Sequence, residues 1–451
     1  MQASWREWRW WWLALACGFT LRAVFALHHP RFDGDTLVYG DLAQNMWAHH
    51  VYGLTEGHVV RPTLIRLPGY PLFTALNFLL FGMGNYTALV WVQIVLALAG
   101  CWALARSLGR MWGPSAGLAM MWLACLCPFT AEYDALALTE SLAMVCLVAV
   151  LVGLERWKAT KRWRWVWIMG AASAFAVQLR PDRGLLTVVC LIGLFAVDWR
   201  KALRPALLVC LLVALPILGW TVRNKRVMHV WQPLAPKYAN DPGEFVAMGF
   251  NRWYRTWAME YWSTVNVYWL WDGAVVTLSD LPARAFDSPA QRQETARALA
   301  VYNRDQAASP ANDAAFAKLA RERTQTHPLR TYVWMPVGRL LDMWLRPRTE
   351  FFKLPLAWWR WSEHPGGSLV CAAYAGLNLL LLVAAKWAFW RKRELFAEPA
   401  VIAGIAFVVL RSLLLLTIDN SEQRYTVECW PVVLLCIAAW FAAKEKPSAQ
   451  S

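Results

Sequence analysis

Apolar runs close to the length needed to cross a bilayer recur from one end of this 451-residue sequence to the other. A helix of about 20 apolar residues spans the hydrocarbon core of a membrane. The composition agrees, because 58% of the residues are hydrophobic and 17% are charged, against roughly 45–50% and about 25% in soluble domains. The sequence therefore predicts an all-α polytopic membrane protein with about ten transmembrane helices. The predicted spans are 10–27, 86–105, 114–129, 138–154, 166–179, 184–197, 206–222, 368–389, 400–417 and 429–443.

Basic residues gather in the short loops between closely spaced runs, and they indicate the orientation of the chain. Arg6 and Arg9 precede the first run, the loop 155–165 is the most basic, and Lys444 and Lys446 follow the last run. Because lysine and arginine are enriched in cytoplasmic loops, both termini are expected to be cytoplasmic. The formal net charge of +15 is explained in this way, and the loop 155–165 is expected to contact lipid headgroups rather than nucleic acid.

Three polar segments, 28–85, 223–367 and 419–428, then face the extracytoplasmic side, where they hold all eight histidines and most of the acids. The chain is expected to divide into an N-terminal transmembrane module, 1–222, an extracytoplasmic loop, 223–367, and C-terminal transmembrane helices, 368–451. The ten cysteines lie in or beside apolar runs and are read as small core residues, not as zinc ligands or disulfides.

The first outer loop, 28–85, is expected to hold two helices. Asp35, Tyr39, Ala43 and Trp47 recur at i, i+4 spacing, which places them on one helix face. The apolar stretch that begins at Pro68 and ends at Gly84 is short enough to lie along the membrane interface.

The long outer loop carries two helix-start signals. Ser288 and Ser309 are each followed by proline, a cap residue before the favoured first helical residue, so two small amphipathic helices are expected there. The aromatic residues of this loop that are expected to stack against a sugar are Trp253, Tyr254, Trp257, Trp262 and Trp269.

Ionisable side chains of both signs lie at the outer ends of several predicted spans, and packing of the spans into one bundle would bring these ends together. Arginine's planar fork suits phosphate oxygens, and a carboxylate can accept a proton from an attacking hydroxyl. The set suits displacement of a phosphate leaving group from a substrate with a lipid tail. For any arginine taken alone, snorkelling to the interface remains the alternative. The set is Asp33, Asp35, Asp41, Arg61, Arg66, Glu132, Asp134, Glu140, Arg180, Asp182, Arg183, Arg223, Lys225, Arg226, Asp419, Glu422, Arg424 and Tyr425.

Six motifs, in this order along the chain, resemble the bacterial glycosyltransferase superfamily C: DTLVYGDLAQNMW, RLPGYPLF, LTESLA, LRPDRG, WTVRNKRVMHVWQPL and SEQRYTVECWP. They look closest to the branch of the dolichyl-phosphate-mannose protein mannosyltransferases and the lipid A aminoarabinose transferases. The resemblance implies a multi-pass transferase of the bacterial inner membrane. Such an enzyme moves a hexose or pentose, with inversion, from a polyprenyl-phosphate donor to a lipid, glycan or protein acceptor on the periplasmic side.

The same resemblance implies a catalytic aspartate in the first outer loop, in the pattern D-x-x-x-Y-x-x-x-A that begins at Asp35. Asp35 would be the general base. The family often has a second acid directly after the first, and here Thr36 occupies that place, so Asp33 stays open as the alternative catalytic acid. Asp41 lies off the face of Asp35 and is expected to meet solvent.

Further residues follow from the resemblance. Glu140 matches an acid at the outer start of the fourth span and is a third catalytic candidate, and Arg66 matches the arginine before P-G-Y-P. The arginine that holds the carrier phosphate could be Arg180, Arg223 or Arg424. The residues expected to contact substrate are Tyr39, Arg61, Arg66, Tyr70, Arg180, Arg223, Arg424 and Tyr425.

Simpler interpretations stay open for several of these residues. Asp35 could serve only as a helix N-cap, a position that aspartate favours. His49, His50 and His58 lie near acids but at spacings that fit no fixed metal-ligand motif. No metal site and no required cofactor are therefore expected, with a divalent ion as the alternative.

Two other classes of function compete with the enzyme. A transporter or flippase of lipid-linked sugars would be expected to carry polar or broken helices at mid-membrane, whereas the predicted spans 86–105, 138–154 and 184–197 are nearly free of mid-span charge. A non-catalytic scaffold would not explain why acids and arginines occur together at the outer ends of the predicted spans. The sequence favours an enzyme whose site lies at one membrane face.

Overall fold

The computed structural model describes residues 5–350, 352 and 354–443. Lys444 and Lys446, on which the predicted cytoplasmic end of the last span depends, lie outside these residues, as does the side chain of Arg6. The chain forms two compact units. The first comprises Met1–Asp241, Leu380–Val409 and Val427–Ser451, and the second comprises Pro242–Leu379 and Leu410–Thr426.

Within the described residues, helices make up nearly all of the regular structure, and one short antiparallel hairpin is the exception. The elements up to Asp241 are α1 (Trp5–His28), α2 (Asp35–Ala48), β1 (Gly53–Glu56), β2 (Val59–Pro62), α3 (Gly69–Phe81), α4 (Tyr86–Trp112), α5 (Pro114–Leu126), α6 (Pro128–Asp134), α7 (Thr139–Thr160), α8 (Arg164–Leu179), α9 (Leu185–Val197) and α10 (Leu203–Val227). The later helices are α11 (Met248–Arg255), α12 (Tyr261–Ser263), α13 (Pro289–Asp305), α14 (Pro310–Thr326), α15 (Met335–Leu345), α16 (Pro365–Arg391), α17 (Pro399–Leu415), α18 (Arg424–Val427) and α19 (Trp430–Ala438).

The mainly helical membrane fold is confirmed, whereas the count of ten spans stays a prediction. Among the described residues, four helices are long and apolar enough to cross a bilayer: α1, α4, α10 and α16. A fifth span results if α5 and α6, which meet at a bend of 57°, are taken together. Two other predicted spans are short: α8 and α9 have 16 and 13 residues, which corresponds to about 24 and 20 Å against a core of roughly 30 Å.

Small residues let α4 and α5 approach closely in the first unit. Gly117 on α5 faces Gly109 on α4, and a Cβ atom at Gly117 would lie 2.8 Å from the Gly109 Cα. Small residues at such contacts are typical of membrane helix pairs, where close van der Waals packing replaces the hydrophobic effect. On α1, the Trp8 ring stacks on Trp102 of α4 with ring centroids 5.6 Å apart.

The two helices predicted for the first outer loop are present as α2 and α3, and they pack against each other. The predicted face of α2 makes the contact: Ala43 is buried with Ala75 and Phe78, and Trp47 Nε1 donates to the Ala75 carbonyl at 2.9 Å. The hairpin β1–β2 follows α2, with Gly53 paired to Pro62 and Glu56 to Val59.

Asp41, which was expected to meet solvent, is partly exposed and is also bonded to the hairpin that follows α2. Its carboxylate accepts hydrogen bonds from the Thr55 amide at 2.7 Å and the Thr55 hydroxyl at 2.8 Å, and Asn45 Nδ2 donates to it at 3.2 Å. Asp41 therefore ties the hairpin to α2, a role that no local sequence pattern indicated.

The second unit contains the two helices predicted from the Ser-Pro pairs. They are α13 and α14, and Ser288 and Ser309 are their N-caps, accepting from the Gln291 and Asn312 amides. An aromatic core lies beneath them, in which Trp271 stacks on Phe250 and on Tyr302 at centroid distances of 3.8 and 3.9 Å.

The prediction that five aromatic residues of the long outer loop stack against a sugar is wrong for three of them. Trp253, Tyr254 and Trp257 are fully buried in this aromatic core, so their rings stabilise the second unit and are not open to a sugar. Trp269 is 50% exposed and remains a candidate.

Candidate functional site in the first unit

Asp35 and Arg66 form the centre of the predicted site. Arg66 Nη2 donates to Asp35 Oδ1 at 2.8 Å, and each side chain is about a quarter exposed. Gly34, not Asp35, occupies the N-cap position of α2, and no side-chain capping bond is made there. Asp35 is the first residue of the helix, where its negative charge is favoured by the helix dipole while its carboxylate points to Arg66.

Asp33 has different surroundings. Its side chain is 71% exposed and lies 3.8 Å from the guanidinium of Arg31, which is itself 45% exposed. A pair so open to solvent contributes little to stability or to positioning. Of the two acids that the sequence left open, Asp35 is the one held in a defined geometry.

Tyr39 is the point at which several charged groups meet. Burial raises the pKa of its hydroxyl above the ordinary value, and the charge of Asp35 raises it further, whereas Arg66 and Arg180 lower it and Glu140 raises it. All four charged groups therefore act on one phenol. They come from α2, the loop before α3, the start of α7 and the end of α8.

Polar contacts hold these elements in place around Tyr39. Its ring meets that of Tyr70 edge to face, with centroids 4.9 Å apart. The Tyr70 hydroxyl donates to Gln93 Oε1 at 2.5 Å, and Gln93 Nε2 donates to the Leu136 carbonyl at 2.6 Å. The Thr36 hydroxyl, beside Asp35, donates to the Ala137 carbonyl at 3.0 Å.

Glu140 is the second residue of α7 and is 2% exposed. Arg180 Nη1 lies 3.6 Å and Arg183 Nη2 3.8 Å from its carboxylate. The motif LRPDRG explains the pairing, because Pro181–Gly184 forms one turn of 3₁₀ helix, and residues three apart in such a turn lie on the same side. Arg183 also pairs with Glu428, with 2.6 Å between Nη2 and Oε1.

Two predicted substrate arginines of the first unit make other contacts. Arg61 on β2 pairs with Glu56 on β1 at 2.9 Å, and both side chains are mostly exposed. Arg223 Nη1 donates to the Thr63 carbonyl at 2.7 Å and Nη2 to the Tyr52 carbonyl at 2.6 Å. The structure thus groups Arg66 and Arg180 with the acids, and it directs Arg223 to main-chain oxygens.

The remaining predicted pair, Arg424 and Tyr425, belongs to the second unit. Both contact Glu422 there. Arg424 Nε lies 2.5 Å from Glu422 Oε2, and the Tyr425 hydroxyl donates to Glu422 Oε1 at 2.7 Å. Their assignment to substrate stays a prediction.

In the part of the chain that the structure describes, no three His, Cys, Asp or Glu side chains lie close enough to hold a metal ion. The first unit does contain a buried ion pair that the site predictions did not assign a role. Arg22 Nε donates to Asp134 Oδ2 at 2.9 Å, and the Ser141 hydroxyl donates to Asp134 Oδ1 at 2.7 Å. This pair joins α1 to α6 and α7. The sequence signal for such buried contacts was a polar residue inside an apolar run. Arg22 is that residue for the pair with Asp134, and Gln93 is that residue for the bond to Tyr70.

Residues 61–220 match the family model of dolichyl-phosphate-mannose-protein mannosyltransferases. The match covers about a third of the chain. Within it lie Arg66, Tyr70, Glu140, Arg180 and Arg183, which together form much of the site. The resemblance to the mannosyltransferase branch is confirmed over this segment.

Two solved structures are similar to the chain at 15% sequence identity. ArnT from Cupriavidus metallidurans bound to undecaprenyl phosphate matches over 95% of this chain and 77% of its own, with a TM-score of 0.41. ArnT from the same organism in the apo state matches over 89% and 72%, with a TM-score of 0.36. No curated protein matches the sequence.

Proposed function

We propose that this protein is an integral membrane glycosyltransferase that moves a sugar from a polyprenyl-phosphate donor to an acceptor on the extracytoplasmic face of the inner membrane. The observation that carries the proposal is the presence of two ion pairs, Arg66–Asp35 at 2.8 Å and Arg180–Glu140 at 3.6 Å, whose charges all act on the Tyr39 phenol. Three of these four charged residues lie inside the segment that matches the mannosyltransferase family.

Asp35 is the proposed general base. It accepts the proton of the acceptor hydroxyl as the hydroxyl oxygen attacks the anomeric carbon. The bond between that carbon and the phosphate oxygen breaks, and its electron pair leaves with the lipid phosphate. Attack opposite the leaving group inverts the anomeric configuration. The Asp35 carboxylate suits this role because it is partly exposed yet oriented by Arg66 at 2.8 Å.

The leaving phosphate gains charge during this step, and fixed cations lower the barrier by stabilising it. Arg180 is proposed for this task because its guanidinium is 26% exposed while Glu140 and Asp182 hold it at 3.6 and 3.4 Å. Glu140 is 2% exposed. Its proposed part in catalysis is to act through Arg180, because its carboxylate fixes the direction of the Arg180 guanidinium.

The proposal is tested with purified protein in proteoliposomes. The probe is a polyprenyl phosphate that carries a radiolabelled hexose or pentose, and a solubilised cell-envelope fraction supplies acceptors. We expect label to leave the lipid carrier, and Asp35→Asn to lower the rate by about 10²–10⁴-fold. Movement of intact donor across the bilayer without cleavage would indicate a transporter instead, and near-normal transfer by Asp35→Asn would remove Asp35 as the base.

The same assay tests the cofactor prediction. We propose that transfer needs no metal ion, so the rate should be unchanged in excess chelator. A loss of activity that added Mg²⁺ or Mn²⁺ restores would contradict this part of the proposal and leave the glycosyltransferase assignment standing.

A further inference from the structure

Arg223, near the outer end of α10, is engaged on both of its terminal nitrogens. Nη1 donates to the Thr63 carbonyl and Nη2 to the Tyr52 carbonyl. Its guanidinium carbon also lies 5.4 Å from the centre of the Tyr52 ring and 4.9 Å from that of Trp220. These two rings meet edge to face at 5.0 Å, so Arg223 is bound by main-chain oxygens and enclosed by aromatic faces.

The two carbonyls mark the neck of the hairpin. Tyr52 directly precedes β1 and Thr63 directly follows β2, and the Thr63 amide donates to the Tyr52 carbonyl at 3.2 Å. One guanidinium therefore joins both ends of the hairpin to α10. A planar fork can bridge two acceptors with fixed geometry, which a lysine ammonium does not reproduce.

The segment 63–68 between β2 and α3 has no helix or strand of its own, and it carries Arg66. Beyond Arg223, it is held by the Tyr52 hydroxyl, which donates to the Arg66 carbonyl at 3.1 Å, and by Asp241, which accepts from the Leu64 amide at 2.9 Å. The position of the Arg66 main chain thus depends on Tyr52, and Tyr52 depends on Arg223.

We propose that Arg223 is a positioning residue that fixes the segment 63–66 and so aims Arg66 at Asp35. This inference rests on the proposed function, and it replaces the expectation that Arg223 contacts the donor phosphate. The connection runs from Arg223 through Tyr52 to Arg66 and ends at the general base. Misplacement of a reacting group by about 1 Å can cost roughly 100-fold in rate.

The test compares Arg223→Gln with Arg204→Gln in the full-length protein. Arg204 lies at the other end of α10 and is exposed, so its substitution removes the same charge from the same helix, away from the hairpin. We expect Arg223→Gln to lower kcat about 10- to 100-fold with little change in donor KM, and Arg204→Gln to have less than about a twofold effect. A rise in donor KM at unchanged kcat would indicate a phosphate contact and overturn the proposal.

A double-mutant cycle with Arg66→Gln provides the second readout. If Arg223 acts through Arg66, the double variant should be no slower than Arg66→Gln alone, because residues that share one interaction are not additive. Additive losses would contradict the connection.

A third readout does not depend on activity. Hydrogen exchange of the amides between residues 53 and 67 should be faster in Arg223→Gln and unchanged in Arg204→Gln. If the wild type transfers no sugar, the proposed function fails while this measurement still decides the positioning role. Unchanged exchange in Arg223→Gln would overturn that role. Should Arg223→Gln fail to fold, Tyr52→Phe, which removes only the hydroxyl bound to Arg66, should show the same pattern more weakly, and wild-type behaviour of that variant would also overturn the proposal.

Discussion

Arg183 and Glu428 form a buried ion pair although 245 residues separate them in the sequence. Two nitrogens of the guanidinium, Nε and Nη2, lie 2.7 and 2.6 Å from Glu428 Oε1, and both side chains are 2% exposed. Arg183 also lies 3.8 Å from Glu140 of the candidate site. The pair with Glu428 therefore joins the segment of the first unit that begins at Val427 to the 3₁₀ turn Pro181–Gly184.

Removal of one partner of this pair should destabilise the protein strongly. Arg183→Gln leaves Glu428 buried without its cation, and loss of one member of a buried pair typically costs about 3–5 kcal/mol of unfolding free energy. Denaturant unfolding in detergent measures the loss. Arg162→Gln, at an exposed position, is the control and should be close to wild type. A loss below about 1 kcal/mol for Arg183→Gln would contradict the buried pairing.

Asp33 and Asp35 should respond very differently to the same substitution. Asp33→Asn removes a carboxylate that is 71% exposed, and we expect sugar transfer to stay within about twofold of wild type. Asp35→Asn removes the carboxylate held by Arg66 and should abolish most of the activity. Initial rates of label release measure both variants. Equal losses, or a larger loss for Asp33→Asn, would reverse the assignment.

Tyr39→Phe tests how the phenol takes part. Because burial and the Asp35 charge raise the pKa of this hydroxyl, the group should stay protonated through and above its ordinary range near pH 10. We expect Tyr39→Phe to lower kcat without moving the alkaline limb of the pH–rate profile. An alkaline limb that disappears in this variant would show that Tyr39 titrates during catalysis.

Features set by near neighbours in the sequence were predictable. Ser288 and Ser309 cap their helices as the Ser-Pro pairs indicated, because a cap needs only the next three residues. The face that begins at Asp35 and reaches Trp47 packs as the i, i+4 spacing required. Glu140, Arg180 and Arg183, which lie at the ends of predicted spans, also lie beside one another.

What the sequence did not predict depends on contacts between distant residues. Asp41 bonds to Thr55 of the hairpin, and Trp253 enters a core and not a sugar site. In each case the side chain is compatible with either environment, and the tertiary packing determines which one it occupies. The hydrogen-bond partners of Arg223 at the neck of the hairpin are main-chain carbonyls, which every residue possesses, so no sequence pattern can point to them.

The last prediction concerns Asp287 in the second unit, whose carboxylate accepts two hydrogen bonds from Arg330, at 2.6 and 2.8 Å. Burial opposes its charge, but the hydrogen bonding of Arg330 and the charge of Arg323 outweigh this and lower the Asp287 pKa below 3.8. The ion pair therefore stabilises the fold above about pH 4 and is lost as the pH falls further. Asp287→Asn should cost about 1–3 kcal/mol at pH 7 and progressively less below pH 4, whereas Asp305→Asn, at an exposed position, should be neutral throughout. Denaturant unfolding at pH 7 and below pH 4 measures the cost of each substitution. A cost of Asp287→Asn that persists unchanged in acid would show that Asp287 acts through packing and not through its charge.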